Sequence, residues 1–230
     1  MVFESNEINS QEYWNERFLT NNWQASGGQQ QTEYFAKLFV NNLPEQIKHD
    51  LVSHHYTFCD WGCAQGQASN VIKNLFANLD VTGIDISKEA IETARSLYPS
   101  CNFKACDLFA TADKFDIIFS SNVLEHFYEP AQIIRQLAIH CDKYLFILVP
   151  FQEYNRIDEH FFTFDYTNIM QQISNFQLVS FNIFNCETID EKAYWNGEQV
   201  LLIYAKDDFF QSRAWNLSLL ASNHIKLKTI

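Results

Sequence analysis

The sequence predicts an α/β protein: a doubly wound, mostly parallel seven-stranded sheet with an antiparallel last strand, preceded by a helical N-terminal cap. Three observations lead there. From Tyr56 onward, short apolar runs alternate with helix-patterned segments, the signature of β-α units joined by right-handed crossovers. Two of the runs, FDIIF and YLFILV, are apolar without alternation, as strands covered on both faces are. After Phe151 the rhythm changes, and FQLVSFNIFNC and QVLLIYAK can pair as an antiparallel hairpin across a turn near Asn196-Gly197.

Taken in order, residues 1–55 read as the cap, 56–206 as the main domain and 207–230 as a tail. QEYWNERFLTNNW carries Tyr13, Trp14 and Phe18 and breaks at Ser26-Gly27-Gly28. A second helix places Tyr34, Phe35, Leu38 and Phe39 at helical spacing, and Pro44 suits the first turn of a third that runs to about Ser53. YTFCDW then reads as a strand, followed by a helix with Val71, Leu75 and Phe76 on one face. VTGID is a short strand, and Ser87 caps the helix KEAIETARSLY, which stops before Pro99. CNFKACD and FDIIFSS are further strands, Pro130 opens a helix bearing Ile133, Ile134 and Leu137, and KYLFILVP is an apolar strand. The loop QEYNRIDEHFFTF precedes a helix expected over 165–174, and the tail has the pattern for one more.

Composition narrows the function. With 16 Lys+Arg against 28 Asp+Glu the formal net charge is −12, which disfavours a nucleic-acid partner. Apolar residues at 47% against 19% charged exclude a disordered chain, and 230 residues suit one large domain with appendages. The acidic, polar start lacks the pattern of a leader, and the longest apolar run, Tyr144 to Val149, is far too short to span a bilayer, so a cytoplasmic protein is expected. The six cysteines form no CxxC pair; they read as reduced, mostly buried thiols, with Cys59, Cys101 and Cys106 in the core. No acidic/histidine ligand spacing suggests a metal, so no metal ligands are assigned and metal dependence stays open.

The chemistry-bearing residues gather at strand ends. Asp60-Trp61-Gly62-Cys63-Ala64-Gln65-Gly66 closes the first strand and opens the first crossover helix, where glycines allow a tight turn and close approach of a ligand to the backbone. Asp85 ends the next strand at the distance where an acid accepts hydrogen bonds from ribose hydroxyls, and Asp107 ends the third. All three acids fall on the carboxyl edge, where open α/β sheets bind ligands. The loop does not supply the G-x-G-x-x-G of nicotinamide and flavin dinucleotide sites.

These motifs resemble those of the class I, Rossmann-like S-adenosylmethionine-dependent methyltransferases. DWGCAQG stands where that family has its DxGxGxG loop, GIDIS where it has the ribose-binding acid, and CDL where it has the acid facing adenine. FDIIFSSNVLEHF looks like its fourth-strand motif and KYLFILVP like its fifth strand, so the resemblance covers about 56–205. Ala64 departs from the family's middle glycine. The resemblance implies S-adenosylmethionine as cofactor and S-adenosylhomocysteine as product. It also implies that Gly62 and the backbone around Cys63 and Gly66 face the methionine moiety. Asp85 would bind the ribose, Ile86 pack on the adenine, and Asp107 accept from its amino group beside Leu108. Ser121 or Asn122 would lie near the sulfonium, and Asp60 would orient the loop or meet the ligand. Tyr13, Trp14 and Arg17 either close over the cofactor or pack the first helix.

Methyl transfer needs alignment and, for a hydroxyl or ammonium acceptor, a base; histidine suits that role at neutral pH. Two candidates lie on the carboxyl edge, His126 in LEHF and His160 in DEHFFTF. His126 could instead be a packing residue and His160 a solvated loop residue, while His54, His55 and His140 read as surface. SSNV stands where base-nitrogen methyltransferases of the family carry (D/N)PP(Y/F), which argues further against DNA and RNA. YWNERF and EHFFTF look similar to small bacterial methyltransferases of surface-polysaccharide and natural-product pathways, which favours O-methylation of a sugar, sugar nucleotide or glycan. A protein acceptor, or a cofactor-binding module without catalysis, is the alternative.

Overall fold

A computed structural model describes residues 7–188 and 194–213. Four helices come first: α1 (Gln11–Leu19), α2 (Asn22–Ala25), α3 (Gly28–Asn42) and α4 (Glu45–Ser53). The alternation follows as β1 (Thr57–Trp61), α5 (Gln67–Leu75), β2 (Asp80–Asp85), α6 (Lys88–Leu97), β3 (Asn102–Ala105), β4 (Phe115–Ser121), α7 (Pro130–Ile139) and β5 (Cys141–Phe151). The chain closes with β6 (Gln172–Ile173), β7 (Phe176–Asn185), β8 (Glu198–Lys206) and α8 (Asp207–Ser212).

The sheet order is β3-β2-β1-β4-β5-β8-β7-β6. The first five strands are parallel neighbours, whereas β8 runs antiparallel to β5, β7 to β8 and β6 to β7. The chain steps outward from β1 to β3, then returns to β4 on the other side of β1. That reversal opens a crevice beyond the carboxyl ends of β1 and β4.

Both faces of the sheet are covered, which is why its central strands do not alternate. On one side α3, α4 and α5 bring Phe39, Ile47, Leu51 and Ile72 against Phe58, Ile117, Phe119 and Phe146. Phe39 stacks on Phe119 with ring centroids 4.2 Å apart. On the other side Ile134 and Leu137 of α7 join Cys59, Ile118, Leu145, Leu202 and Tyr204. Local signals set the helix starts: Ser10 Oγ accepts from Tyr13 N–H on α1, and Ser87 Oγ from Ala90 N–H on α6.

Several expectations are corrected. The sheet has eight strands rather than seven, because Gln172-Ile173 adds a two-residue strand at the β7 edge. That strand falls within the segment expected to be a helix over 165–174. Asp165 instead accepts from Thr167 N–H and Oγ, while its own N–H donates to Asn168 Oδ1, and such local bonds compete with helix formation. Leu75 points outward, since α5 ends there and Phe76 and Leu79 bury themselves instead. His140 is buried, with Nδ1 on the Asp113 carbonyl at 2.7 Å. Cys101 and Cys106 are half-buried rather than core thiols, whereas Cys59, Cys63, Cys141 and Cys186 are buried, and all six are free. Pro44 sits one residue before α4 rather than inside it. The tail's helix is α8; residues 214–230 lie outside the described residues. Among the described residues, no helix is long and apolar enough to cross a membrane.

Candidate active site

A cavity of about 410 Å³ opens at the crevice. Strand ends form its floor, α1, α2 and the first turns of α3 form one wall, and the loop after β5 forms another. Asp60, Gly62, Asp85, Ile86, Asp107, Ser121 and Asn122 line it, as do Trp14, Arg17, His126 and His160. Most of the residues singled out by motif therefore meet in one place.

The turn after β1 is shaped by backbone geometry. Gly62 and Cys63 both donate to the Ile84 carbonyl, at 2.8 and 3.1 Å. Gly62 has φ +78°, and a Cβ there would fall 2.4 Å from Val123 Cγ2, so both the backbone conformation and the packing against Val123 favour glycine. Gly66 caps α5 at φ +85°, with Phe103 filling the space where its side chain would be. Ala64 takes φ +48°, in the left-handed region that favours glycine. Cys63 and Gly66 are placed behind the lining: Cys63 packs with Ile91, Ala94 and Phe103, so these two shape the turn rather than face the cavity.

The acids play distinct parts. Asp85 holds the turn to the next helix: Oδ2 accepts from Ala64 N–H at 2.9 Å and Oδ1 from Ser87 N–H at 2.8 Å. Burial raises its carboxyl above the usual range, against the pull of those N–H groups. Asp60, 2% exposed, accepts from Ser69 Oγ at 2.6 Å, and burial pushes its carboxyl up to about 6. Asp107 is exposed at the rim and accepts from Phe109 N–H at 2.9 Å. Leu108 falls in the same short turn, but its side chain lies outside the described residues. Asn122, at φ +52°, bonds its N–H to the Leu148 carbonyl and accepts from Gln199 Nε2 at 3.0 Å.

The opposite corner is built by two loops. Phe161 and Phe162 N–H both donate to the Glu125 carbonyl, which ties the loop after β5 to the turn after β4. That tie brings His160 beside Glu125, with Nε2 3.9 Å from Oε1. His160 is buried, not solvated, and its Nδ1 meets Glu153 Oε2 at 2.6 Å. Its ring stacks on Trp195 and meets His126 edge-on. His126 Nδ1 sits 2.8 Å from the Glu159 carbonyl, and Trp14 packs against its ring. Burial, with the neighbouring His160 and Arg17 charges, lowers the His126 pKa to about 3. Glu125 is 1% exposed; neither carboxylate oxygen has a hydrogen-bond partner, and burial raises its pKa to about 7.

Helix α1 seals this corner. Arg17 pairs with Glu159, whose carboxylate also accepts from Tyr13 Oη, and Asn9 Nδ2 donates to the backbone carbonyls of His126 and Glu159. Tyr13 lies behind the lining and positions Glu159, while Trp14 and Arg17 face the cavity. Glu125, Glu153, Trp195 and Phe109 were not singled out from sequence. The motif LEH placed Glu125 next to a candidate, but nothing in the linear pattern put it against a loop 35 residues downstream (160 − 125).

Comparison with known proteins bears directly on this arrangement. A family model described as a methyltransferase domain matches residues 53–194. The chain belongs to that family. This methyltransferase domain spans every element from the end of α4 to the loop before β8. Among curated proteins, 235L of Invertebrate iridescent virus 6, provisionally named a methyltransferase, is 31% identical over 88 residues, covering 37% of this chain and 32% of that one. Trans-aconitate 2-methyltransferase of Azoarcus sp. (strain BH72) is 28% identical over 86 residues, 36% of this chain and 34% of the relative. The chain thus spans about a third of the length of the curated relatives it matches. Among solved structures, magnesium protoporphyrin IX methyltransferase from Synechocystis PCC 6803 with bound S-adenosylmethionine superimposes with a TM-score of 0.62 at 17% identity, over 88% of this chain and 100% of that one. This likeness is one of fold.

Proposed function

We propose that the protein transfers the methyl group of S-adenosylmethionine to a hydroxyl of a small polar acceptor, with a sugar, sugar nucleotide or glycan as the favoured class. Membership of the methyltransferase-domain family supports the class of reaction. The cofactor fits what lines the crevice: a glycine turn after β1 and carboxylates at three successive strand ends. Asp85 and Asp107 would hold its ribose and adenine, Ile86 would cover the ring, and Gly62 with Ser121 and Asn122 would flank the methionine end. When bound, the sulfonium supplies an electrophilic methyl: its S–C bond breaks as the acceptor's O–C bond forms, leaving S-adenosylhomocysteine.

The chain's own work is to hold the acceptor oxygen in line and remove its proton. The observation that carries this reading is the His160–Glu153 pair in the cavity wall. With Nδ1 donating to Glu153, the Nε2 lone pair is left free toward the corner, and the carboxylate stabilises the imidazolium formed on proton uptake. His126, held neutral by burial, is much the weaker base. Trp14, Trp23 and Trp195 offer flat apolar faces, and Asn9, Gln31 and Thr32 offer hydrogen bonds, the pairing that suits a sugar ring. Trans-aconitate, the acceptor for which one relative is named, is likewise small and polar.

The test is a screen of sugars, sugar nucleotides and a peptide panel for S-adenosylhomocysteine release. The reading predicts turnover on a hydroxylated sugar acceptor that falls about 10²-fold or more in His160→Ala. Turnover on peptides alone would overturn the acceptor class, and equal rates in the variant would remove His160 from proton transfer.

A further inference from the structure

We infer that Glu125, His126 and His160 form a binding site for one divalent first-row transition-metal cation at the acceptor corner of the cavity. The inference deepens the proposed function and rests on its reading that the acceptor hydroxyl arrives at this corner. Each of the three residues offers a ligand atom, and those atoms lie within 4.8 Å of one another. Bonds of about 2.1 Å set adjacent ligand atoms roughly 3 Å apart, so small side-chain rotations close the site.

Three independent features point to a cation rather than to a fortuitous cluster. The first is tautomer control. His160 Nδ1 faces the Glu153 carboxylate and His126 Nδ1 faces the Glu159 carbonyl, both of them acceptors. Each Nδ1 therefore carries a proton, and in the neutral ring this leaves the Nε2 lone pair free for a cation. Metal-binding histidines are oriented in this way, the far nitrogen donating to a carboxylate or a backbone carbonyl. The second is Glu125: a carboxylate 1% exposed, with no hydrogen-bond partner on either oxygen, is costly unless something positive meets it. Among the described residues, no arginine or lysine pairs with it. Arg17, the nearby cation, is paired with Glu159 instead. The third is scaffolding. Glu125 and His126 occupy one short turn, and two backbone bonds from Phe161 and Phe162 to the Glu125 carbonyl fix the loop that carries His160.

Two imidazoles and one carboxylate leave coordination positions open toward the cavity, a donor set that suits zinc, iron, cobalt or manganese. A hydroxyl meeting the cation on its open side is acidified and gives its proton to solvent water. In that loaded state His160 serves as a ligand, and the cation replaces imidazole as the group that activates the acceptor. Pairing of Asp158 or of the loop's other acids with the cation is not required.

The experiment is a titration of Co²⁺ into chelator-treated full-length protein, followed by calorimetry and visible absorption, with wild type, Glu125→Gln, His160→Ala and the exposed-imidazole control His55→Ala. The expected result is one saturable site with d–d bands of nitrogen/oxygen ligation. It should weaken at least about tenfold in the first two variants and stay unchanged in the control. Absence of a saturable site in folded wild type overturns the inference. So does binding that is equal in all four proteins, or binding with the near-ultraviolet charge-transfer band of a thiolate. The wild-type spectrum decides even where a variant folds poorly. The titration needs no methyl acceptor or cofactor, so its failure leaves the methyltransferase reading standing. Loss of that reading would show instead as failure to bind S-adenosylhomocysteine.

Discussion

Asp60→Asn should stabilise the protein at alkaline pH, and the size of the effect follows from the structure. The Asp60 carboxylate is 2% exposed and accepts from Ser69, through the hydroxyl at 2.6 Å and through the backbone. Burial raises its pKa from 3.8 to about 6, opposed by the bonds from Ser69 and reinforced by the Asp85 charge. A group that holds its proton more tightly when folded costs stability as pH rises through that interval. The cost is complete above about 6 and vanishes below 3.8. At 1.36 kcal/mol per pH unit the interval is worth roughly 3 kcal/mol at pH 8, falling to roughly 1.6 kcal/mol at pH 5. Asparagine keeps a carbonyl oxygen for Ser69 and carries no charge. Its amide hydrogens, left without a partner, offset about 1 kcal/mol at either pH. The net gain is then about 2 kcal/mol at pH 8, shrinking by about 1.4 kcal/mol at pH 5. Urea unfolding followed by tryptophan fluorescence at the two pH values measures it. A stability difference that is the same at both, or a variant less stable at pH 8, would refute the reasoning.

Three further outcomes are expected. Ala64→Gly should leave stability unchanged or raise it by up to about 1 kcal/mol, because the residue sits at φ +48°, whereas Ala64→Val should lower the urea midpoint well beyond that. Phe39→Ala, which removes the ring stacked on Phe119, should cost about 3–5 kcal/mol in the same assay. His160→Ala should lower turnover about 10²-fold or more while S-adenosylhomocysteine affinity, measured by calorimetry, is nearly unchanged.

The parts of the fold that could be read from sequence are those in which local pattern and tertiary role agree. FDIIFSS and KYLFILVP are apolar because both faces of the sheet are covered. Ser87 and Pro130 mark helix starts because the orphan N–H groups there need a cap or no donor at all. The segment 165–174 departs from its helix-like pattern because the side chains of Asp165, Thr167 and Asn168 bond the nearby backbone and win. The strand-end acids were legible in the same way, since β-α spacing dictates where strands stop. The corner where Glu125 meets His160 was not. Glu125 and His160 meet only because Phe161 and Phe162 pin one loop to the other, and Glu153 and Trp195 arrive from still other segments. Cys63 and Gly66 make the turn itself, and the Cys63 side chain packs behind it against Ile91, Ala94 and Phe103.

The most direct measurement is a calorimetric titration of S-adenosylhomocysteine into wild type and Asp85→Ala. The account predicts micromolar binding in wild type, weakened by about 1–3 kcal/mol in the variant, which loses the carboxylate that braces Ala64 and Ser87 and would meet the ribose. No binding to folded wild type, or equal affinity in the two proteins, would contradict the assignment of the crevice as the cofactor site.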